Sequence, residues 1–327
     1  MLAAVVDSPG RLADVLAVRE VEGPPAPGAG EVVVRMLAST VNPSDEVTVS
    51  GAYGTRTSFP LVPGFDGVGV IEAVGPGVPA AALGRRVLPL GSAGAWQQCK
   101  RLDHSWCVPV PDDLPDDVAC FAYINPLTAV TMVERFCRPG VRAVVVTAAT
   151  SVIGGHLAEL LTARGVAPIG VVRGTPGRTV AEPSRWRALI RTDEPGWRER
   201  LRALTGPRGI DVGYDCVGGE VGADVCALTS ADGVLVHYGL LSGRPLPARC
   251  FTEPGGPRVE LFRLREAVHG DGRRHLPELF APVFEQLRRG LLRTAVSHRV
   301  GLSALAGHLQ APAVGHRSGK ILIEPQR

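Results

Sequence analysis

The residues with the clearest chemical meaning lie between Ala143 and Gly174. The run Ala143-Val144-Val145-Val146 reads as a buried strand, and Thr147-Ala148-Ala149-Thr150-Ser151-Val152-Ile153-Gly154-Gly155 reads as a small-residue turn opening a helix. About twenty residues further on, a second strand-like run closes on Val171-Val172-Arg173. A strand, a narrow turn, a helix and a second strand form the kind of unit that holds a dinucleotide pyrophosphate on a helix N-terminus. A strict G-x-G-x-x-G is absent: Ala149 and Ser151 occupy the first two glycine positions and Gly154 the third. Ala149, Thr150, Ser151, Val152, Ile153 and Gly154 are therefore the candidate phosphate-side contacts, with the Ser151 hydroxyl as a donor. Arg173 stands where an NAD-binding unit usually carries Asp or Glu. A guanidinium there suits a 2′-phosphate, and so NADPH, through charge-assisted hydrogen bonds of about 1.5–3 kcal/mol. Arg178 is placed to assist it.

The bulk composition bounds what surrounds this unit. A chain of 327 residues is long enough for two domains with separate cores. Its 45% hydrophobic and 20% charged residues are ordinary for a soluble globular protein. A net charge of +3, dispersed along the chain, gives no basis for nucleic-acid binding. No window approaches the roughly 18 apolar residues of a membrane span, and the start Met1-Leu2-Ala3-Ala4 lacks the features of a secretory signal. Seven widely spread cysteines without a C-x-x-C suit a reduced, cytoplasmic protein.

Residues 1 to about 120 read as short strands between Gly/Pro turns: 2–6, 31–36, 67–74, 86–89 and 107–108, as in a barrel-like β domain. From residue 118 the rhythm changes. A helical spacing over 118–136 is followed by alternating strands and helices at 143, 154–164, 167, 197–204, 212–216 and 233–238, a pattern for a doubly wound parallel sheet. A helix is expected over 275–290, with Pro277 in its first turn and Pro282 a possible kink. A last strand at 320–323 returns to the first domain.

Several phrases together resemble the medium-chain dehydrogenase/reductase superfamily over essentially the whole chain. They are Val41-Asn42-Pro43-Ser44-Asp45, Ser50-Gly51-Ala52-Tyr53-Gly54, Pro63-Gly64-Phe65-Asp66-Gly67-Val68-Gly69, Ile124-Asn125-Pro126-Leu127-Thr128-Ala129, Asp215-Cys216-Val217-Gly218-Gly219 and Ser318-Gly319-Lys320-Ile321. The chain is most similar to the zinc-free branch of quinone oxidoreductases and 2-enoyl thioester reductases. That resemblance implies an α/β protein with a GroES-like β-barrel catalytic domain and a Rossmann-type doubly wound domain. The expected boundaries are 1–119 for the first part of the catalytic domain, 120–262 for the NADPH-binding domain and 263–327 for the return. It also implies a homodimer. Thr128, Cys216, Val217, Gly218, Tyr238, Gly239 and Lys320 would then lie along the coenzyme.

Zinc-dependent relatives need a Cys near position 42 and Gly-His-Glu near 64–66. Here Asn42-Pro43 and Gly64-Phe65-Asp66 stand there, the cysteines lack tetrahedral-site spacing and the eight histidines show no H-x₃-H pair, so no metal is expected. Without that electrophile a conjugated acceptor is the easier substrate: hydride adds at the β-carbon, charge gathers on the carbonyl oxygen, and a proton follows at the α-carbon. Tyr53, in a Gly-flanked loop, is the candidate proton source, and its phenol is neutral at pH 7. Asn42 and Asn125 would offer amide hydrogen bonds beside the nicotinamide, and both Asn-Pro pairs equally suit turns. Trp96, Phe262 and Arg263 are candidate pocket residues; a cation at 263, where enoyl reductases carry an aromatic, favours a small enone or an anionic group over a long acyl chain. The first expectation is NADPH-dependent reduction of an activated C=C bond in an enoyl thioester or enone. The alternatives are an NADPH:quinone reductase, which shares coenzyme and barrel, and a non-catalytic NADPH-binding regulator, for which Val152 and Arg263 speak.

Overall fold

The computed structural model describes residues 1–52, 57–174, 179–270, 273–311 and 319–327. In chain order it opens with β1 (Leu2–Val6), β2 (Leu16–Glu20) and the long β3 (Glu31–Thr40), followed by helix α1 (Pro43–Val49). Strands β4 (Gly67–Val74), β5 (Arg86–Pro89), β6 (Cys99–Asp103) and β7 (Cys107–Pro109) come next. The segment expected as one helix over 118–136 is broken. A short turn of helix covers Asp116–Ala119, a wide helical turn covers Tyr123–Leu127, and α2 proper is Thr128–Phe136. Pro126, which has no amide hydrogen to continue the ladder, sits inside the wide turn.

Strands and helices then alternate: β8 (Val144–Thr147), α3 (Val152–Ala163), β9 (Ile169–Val172), β10 (Ala188–Arg191), α4 (Trp197–Thr205), β11 (Ile210–Asp215), α5 (Gly219–Leu228), β12 (Thr229–His237) and β13 (Arg258–Leu261). The chain closes with α6 (Leu276–Arg288), β14 (Val296–Gly301) and β15 (Lys320–Glu324). Contacts divide it into two units, Met1–Leu127 with Arg265–Arg327, and Thr128–Leu264.

In the first unit a seven-stranded sheet runs β14-β15-β3-β4-β5-β7, with β6 also paired to β3, and β1 and β2 form a separate antiparallel ribbon. The return expected of the last strand is seen in register: β15 lies antiparallel to β3 with Leu322 opposite Thr40. Alternate residues of β3, Val32, Val34 and Met36, are buried with Ile71, Trp96, Ile321 and Ile323 in one core.

The second unit holds a six-stranded parallel sheet in the order β10-β9-β8-β11-β12-β13. Its central strand β8 is buried along its whole length, which is why it reads as an unbroken valine run. The period-2 pleat sorts those valines onto the two faces. Val144 and Val146 pack with Met132 and Phe136 of α2 and Leu157 and Leu161 of α3; Val145 packs with Leu201 of α4 and Val225 of α5. Helices thus cover both faces, and the expected α/β class with a doubly wound parallel sheet holds. The strand order reverses between β8 and β11, the place where such sheets take ligands at their carboxyl ends.

Candidate functional site

In the second unit the turn after β8 is tight. Ala148 adopts a positive φ of 49°, unusual for a residue with a Cβ, and the Ala149 amide bonds the Val171 carbonyl of β9 at 3.2 Å. Ser151 is the N-cap of α3, its hydroxyl oxygen accepting from the Gly154 amide at 3.1 Å. The same hydroxyl keeps its hydrogen for donation. A Cβ at Gly154 would stand 2.9 Å from the Ala149 carbonyl oxygen and 3.0 Å from that of Ala148, so the helix can enter this close to the strand only on glycine. Val152 and Ile153 form the first turn of α3, where amides lack intrahelical partners and attract anions. Thr150, Ser151, Val152 and Ile153 are all half-buried, and Ala149 is buried.

Arg173 follows the last residue of β9 directly and is exposed. Among the described residues it has no ion-pair partner. Next to it, an added Cβ on Gly174 would collide with the Asp193 carboxylate, and Arg191 holds that carboxylate at 2.9 Å and bonds the Gly174 carbonyl at 3.2 Å. The Asp193 carboxyl is therefore already engaged, held below the usual range by the Arg191 hydrogen bond. Arg178 and Tyr53 lie outside the described residues.

The turns that leave β11 and β12 are brought together as expected of neighbouring strands. The Leu241 amide bonds the Cys216 carbonyl at 2.9 Å and the Ser242 amide bonds that of Val217 at 3.0 Å. Gly239 faces Cys216 so closely that an added Cβ would meet the cysteine Cβ at 2.9 Å. Gly218 takes a positive φ of 71° as the chain turns into α5. Burial pushes the Cys216 thiol up to about 12 and raises the Tyr238 hydroxyl beside it well above its ordinary value, so neither ionises near neutrality. Thr128 is buried at the start of α2; Phe262 is buried in the core on the α2–α3 face, and Arg263 is exposed. The hub of this region, Asp215 with His237, was not among the residues singled out from sequence.

The first unit contains a second polar centre. Asn42 is fully buried, and its Nδ2 donates to Asp66 Oδ2 at 2.7 Å. Its Oδ1 accepts from Lys320 Nζ at 2.7 Å and, at 3.4 Å, from Asn125 Nδ2. The Lys320 ammonium also bonds the Val41 carbonyl at 3.0 Å. Asp45, in the first turn of α1, caps back onto the Asn42 amide at 2.7 Å and takes the Phe65 amide at 3.2 Å, while Asp66 takes the Ile124 amide at 2.9 Å. Burial pushes both carboxyls up, each to about 7, against the pull of these donors. Burial also lowers Lys320, against the pull of the two acids. Asn42 and Asn125 were singled out as amides beside the nicotinamide and Lys320 as a coenzyme contact, not as members of one buried cluster; Asp45 and Asp66 were missed, although both stand in phrases the sequence had marked. Asn125 alone of the two amides is only half-buried. Trp96 is a fully buried ring of this unit's core, its Nε1 donating to the Thr40 carbonyl at 3.0 Å. Among the described residues no group of three or more His, Cys, Asp or Glu side chains is placed to hold a metal ion.

One unit with a nucleotide-type doubly wound parallel sheet, and another, largely of β strands, with a buried amide–carboxylate–ammonium cluster, are the two parts of a dehydrogenase-type fold. The chain belongs to the medium-chain dehydrogenase/reductase superfamily and is similar to quinone oxidoreductases and enoyl reductases within it. Residues 28–112 match the alcohol dehydrogenase GroES-like domain and residues 188–323 match the family of zinc-binding dehydrogenases. The mitochondrial enoyl-[acyl-carrier-protein] reductase of Arabidopsis thaliana is 32% identical over 66% of this chain and 59% of its own length. That of Homo sapiens is 29% identical over 90% of this chain and 80% of its own length. The alignments to the first curated relatives span only about six-tenths of those proteins. Among solved structures, a mycobacterial quinone oxidoreductase superposes with a TM-score of 0.80 at 26% identity, covering 99% of this chain and all of that one. A mycobacterial protein in complex with NADPH gives 0.81 at 26% identity, with the same coverage.

Proposed function

We propose that this protein is an NADPH-dependent reductase of activated C=C bonds, acting on an enoyl thioester or a related small enone. The observation that carries the reading is the exposed Arg173 at the tip of β9, without an ion-pair partner among the described residues and one strand from a capped helix start that follows a glycine-requiring turn. These groups fit a phosphorylated dinucleotide: first-turn amides and Ser151 for the pyrophosphate, Arg173 for the 2′-phosphate. When bound, NADPH supplies the hydride for the β-carbon of the acceptor. Asn125, with amide hydrogens to spare, donates to the carbonyl oxygen where charge gathers. Asn42, too deeply buried to meet a ligand, orients Asn125 and is itself held by Asp66 and Lys320. Tyr53 delivers the proton to the α-carbon. Likeness to a quinone oxidoreductase over the full chain favours quinone reduction as the second reading. A homodimer fits the same family, and light scattering on the purified chain would distinguish it from a monomer. Seven unpaired cysteines fit a reducing, cytoplasmic setting.

The test is NADPH consumption with a crotonyl thioester, a simple enone and a quinone. Turnover of either conjugated carbonyl supports the proposal; turnover of the quinone alone supports the second reading. Saturable NADPH binding without turnover of any would leave only a coenzyme-binding regulator. In the same assay Arg173→Ala is expected to raise KM for NADPH about ten-fold or more while changing that for NADH little. Equal changes for both coenzymes would remove the 2′-phosphate assignment.

A further inference from the structure

Asp215, the last residue of β11, is completely buried, yet four groups converge on its carboxylate. Thr147 Oγ1, at the end of β8, donates to Oδ1 at 2.7 Å, and the Val217 amide donates to the same oxygen at 3.0 Å. The Gly218 amide reaches Oδ2 at 3.0 Å, and His237 Nδ1, at the end of β12, lies 2.7 Å from it. With a carboxylate as acceptor, Nδ1 carries the ring hydrogen. Thr147 Oγ1 in turn accepts from the Cys216 amide at 3.1 Å. One side chain therefore ties the carboxyl ends of three adjacent strands to the turns that leave them. Two of those strands, β8 and β11, flank the point where the strand order reverses.

A buried carboxylate is costly unless its lone pairs are filled, and an apolar side chain would pack a strand end at less cost. The position of Asp215 is thus better explained by what it holds in place than by stability. Its partners Val217, Gly218 and His237 stand in the turns 216–218 and 237–239, where the family resemblance places Cys216, Val217, Gly218, Tyr238 and Gly239 along the ribose and nicotinamide of the coenzyme. Resting on the proposed function, we infer that Asp215 is a positioning residue for the nicotinamide-ribose half of the bound dinucleotide. The 2′-phosphoadenosine half is held independently, through Arg173.

The two halves give the test. NADPH affinity is measured by fluorescence titration, and that of adenosine 2′,5′-bisphosphate, which lacks the nicotinamide ribose, by competition. Asp215→Asn keeps the shape but turns an NH₂ toward donors. It is expected to weaken NADPH about ten-fold or more and to leave the bisphosphate within about twofold. Should that variant fail to fold, Thr147→Val carries the test with a loss of about threefold or more for NADPH alone, restored by Thr147→Ser. Parental NADPH affinity in the folded variants, or equal weakening of both ligands, would overturn the role of Asp215. A parent chain that takes up neither ligand would instead bring down the dinucleotide reading, and this inference with it.

Discussion

Lys320→Met is expected to cost about 3 kcal/mol or more of folding stability, measured by denaturant unfolding. The ammonium supplies two of the donors in the buried centre of the first unit, to Asn42 Oδ1 and the Val41 carbonyl. Its charge also opposes those of Asp45 and Asp66, both buried. Removing it relieves its own burial but leaves two carboxyls without a counter-charge. The pH dependence gives a second readout. A carboxyl raised from its ordinary 3.8 to about 7 contributes most stability at pH below its unfolded value and loses that contribution as pH rises through about 7. In the parent the ammonium restrains this loss; in Lys320→Met it is steeper. The deficit of the variant should therefore be larger at about pH 8 than at about pH 5. A variant as stable as the parent at both would show that the cluster is not electrostatically coupled to Lys320.

What the sequence made legible was what neighbours along the chain decide. The valine run of β8, the small-residue turn and the capped start of α3 lie within a dozen residues of one another, and each follows from local sterics. Strands that alternate charged and apolar residues were harder. Cys99–Asp103 and Val296–Gly301 carry exposed Arg, Asp or His, the first also a buried Lys100, and gain strand character only from partners elsewhere in the chain, β3 and β15. The two polar centres were half-visible for the same reason. Asn42, Asn125 and Lys320 were picked from phrases, but the bonds joining them span 83 and 278 positions, and no periodicity encodes those distances. Asp66 was weighed only as a failed metal ligand. A carboxylate retained in a run of otherwise apolar and glycine residues was the available signal, and it applied equally to Asp215.

Tyr53→Phe is the substitution that would separate the two candidate reactions most widely. Reduction of an enoyl thioester leaves an enolate whose α-carbon must be protonated within the active site, so loss of the phenolic hydrogen should lower kcat about 10²-fold or more. A quinone accepts hydride and becomes an aromatic hydroquinone anion, an oxygen base that solvent protonates without help. Its turnover should change by less than about threefold, since no carbon acid is formed and the general-acid contribution is absent. NADPH affinity is expected to stay at the parental value, because the proposed reading places the coenzyme on Arg173 and the 147–154 turn and not on Tyr53. A kcat on crotonyl thioester equal to that of the parent would exclude Tyr53 as the acid and move the search to the buried Asp66–Asn42–Lys320 chain, where a carboxyl pushed up to about 7 has a proton to give. In that case Asp66→Asn should reproduce the expected loss on the thioester, and its pH–rate profile should lose the limb that falls as pH rises through about 7.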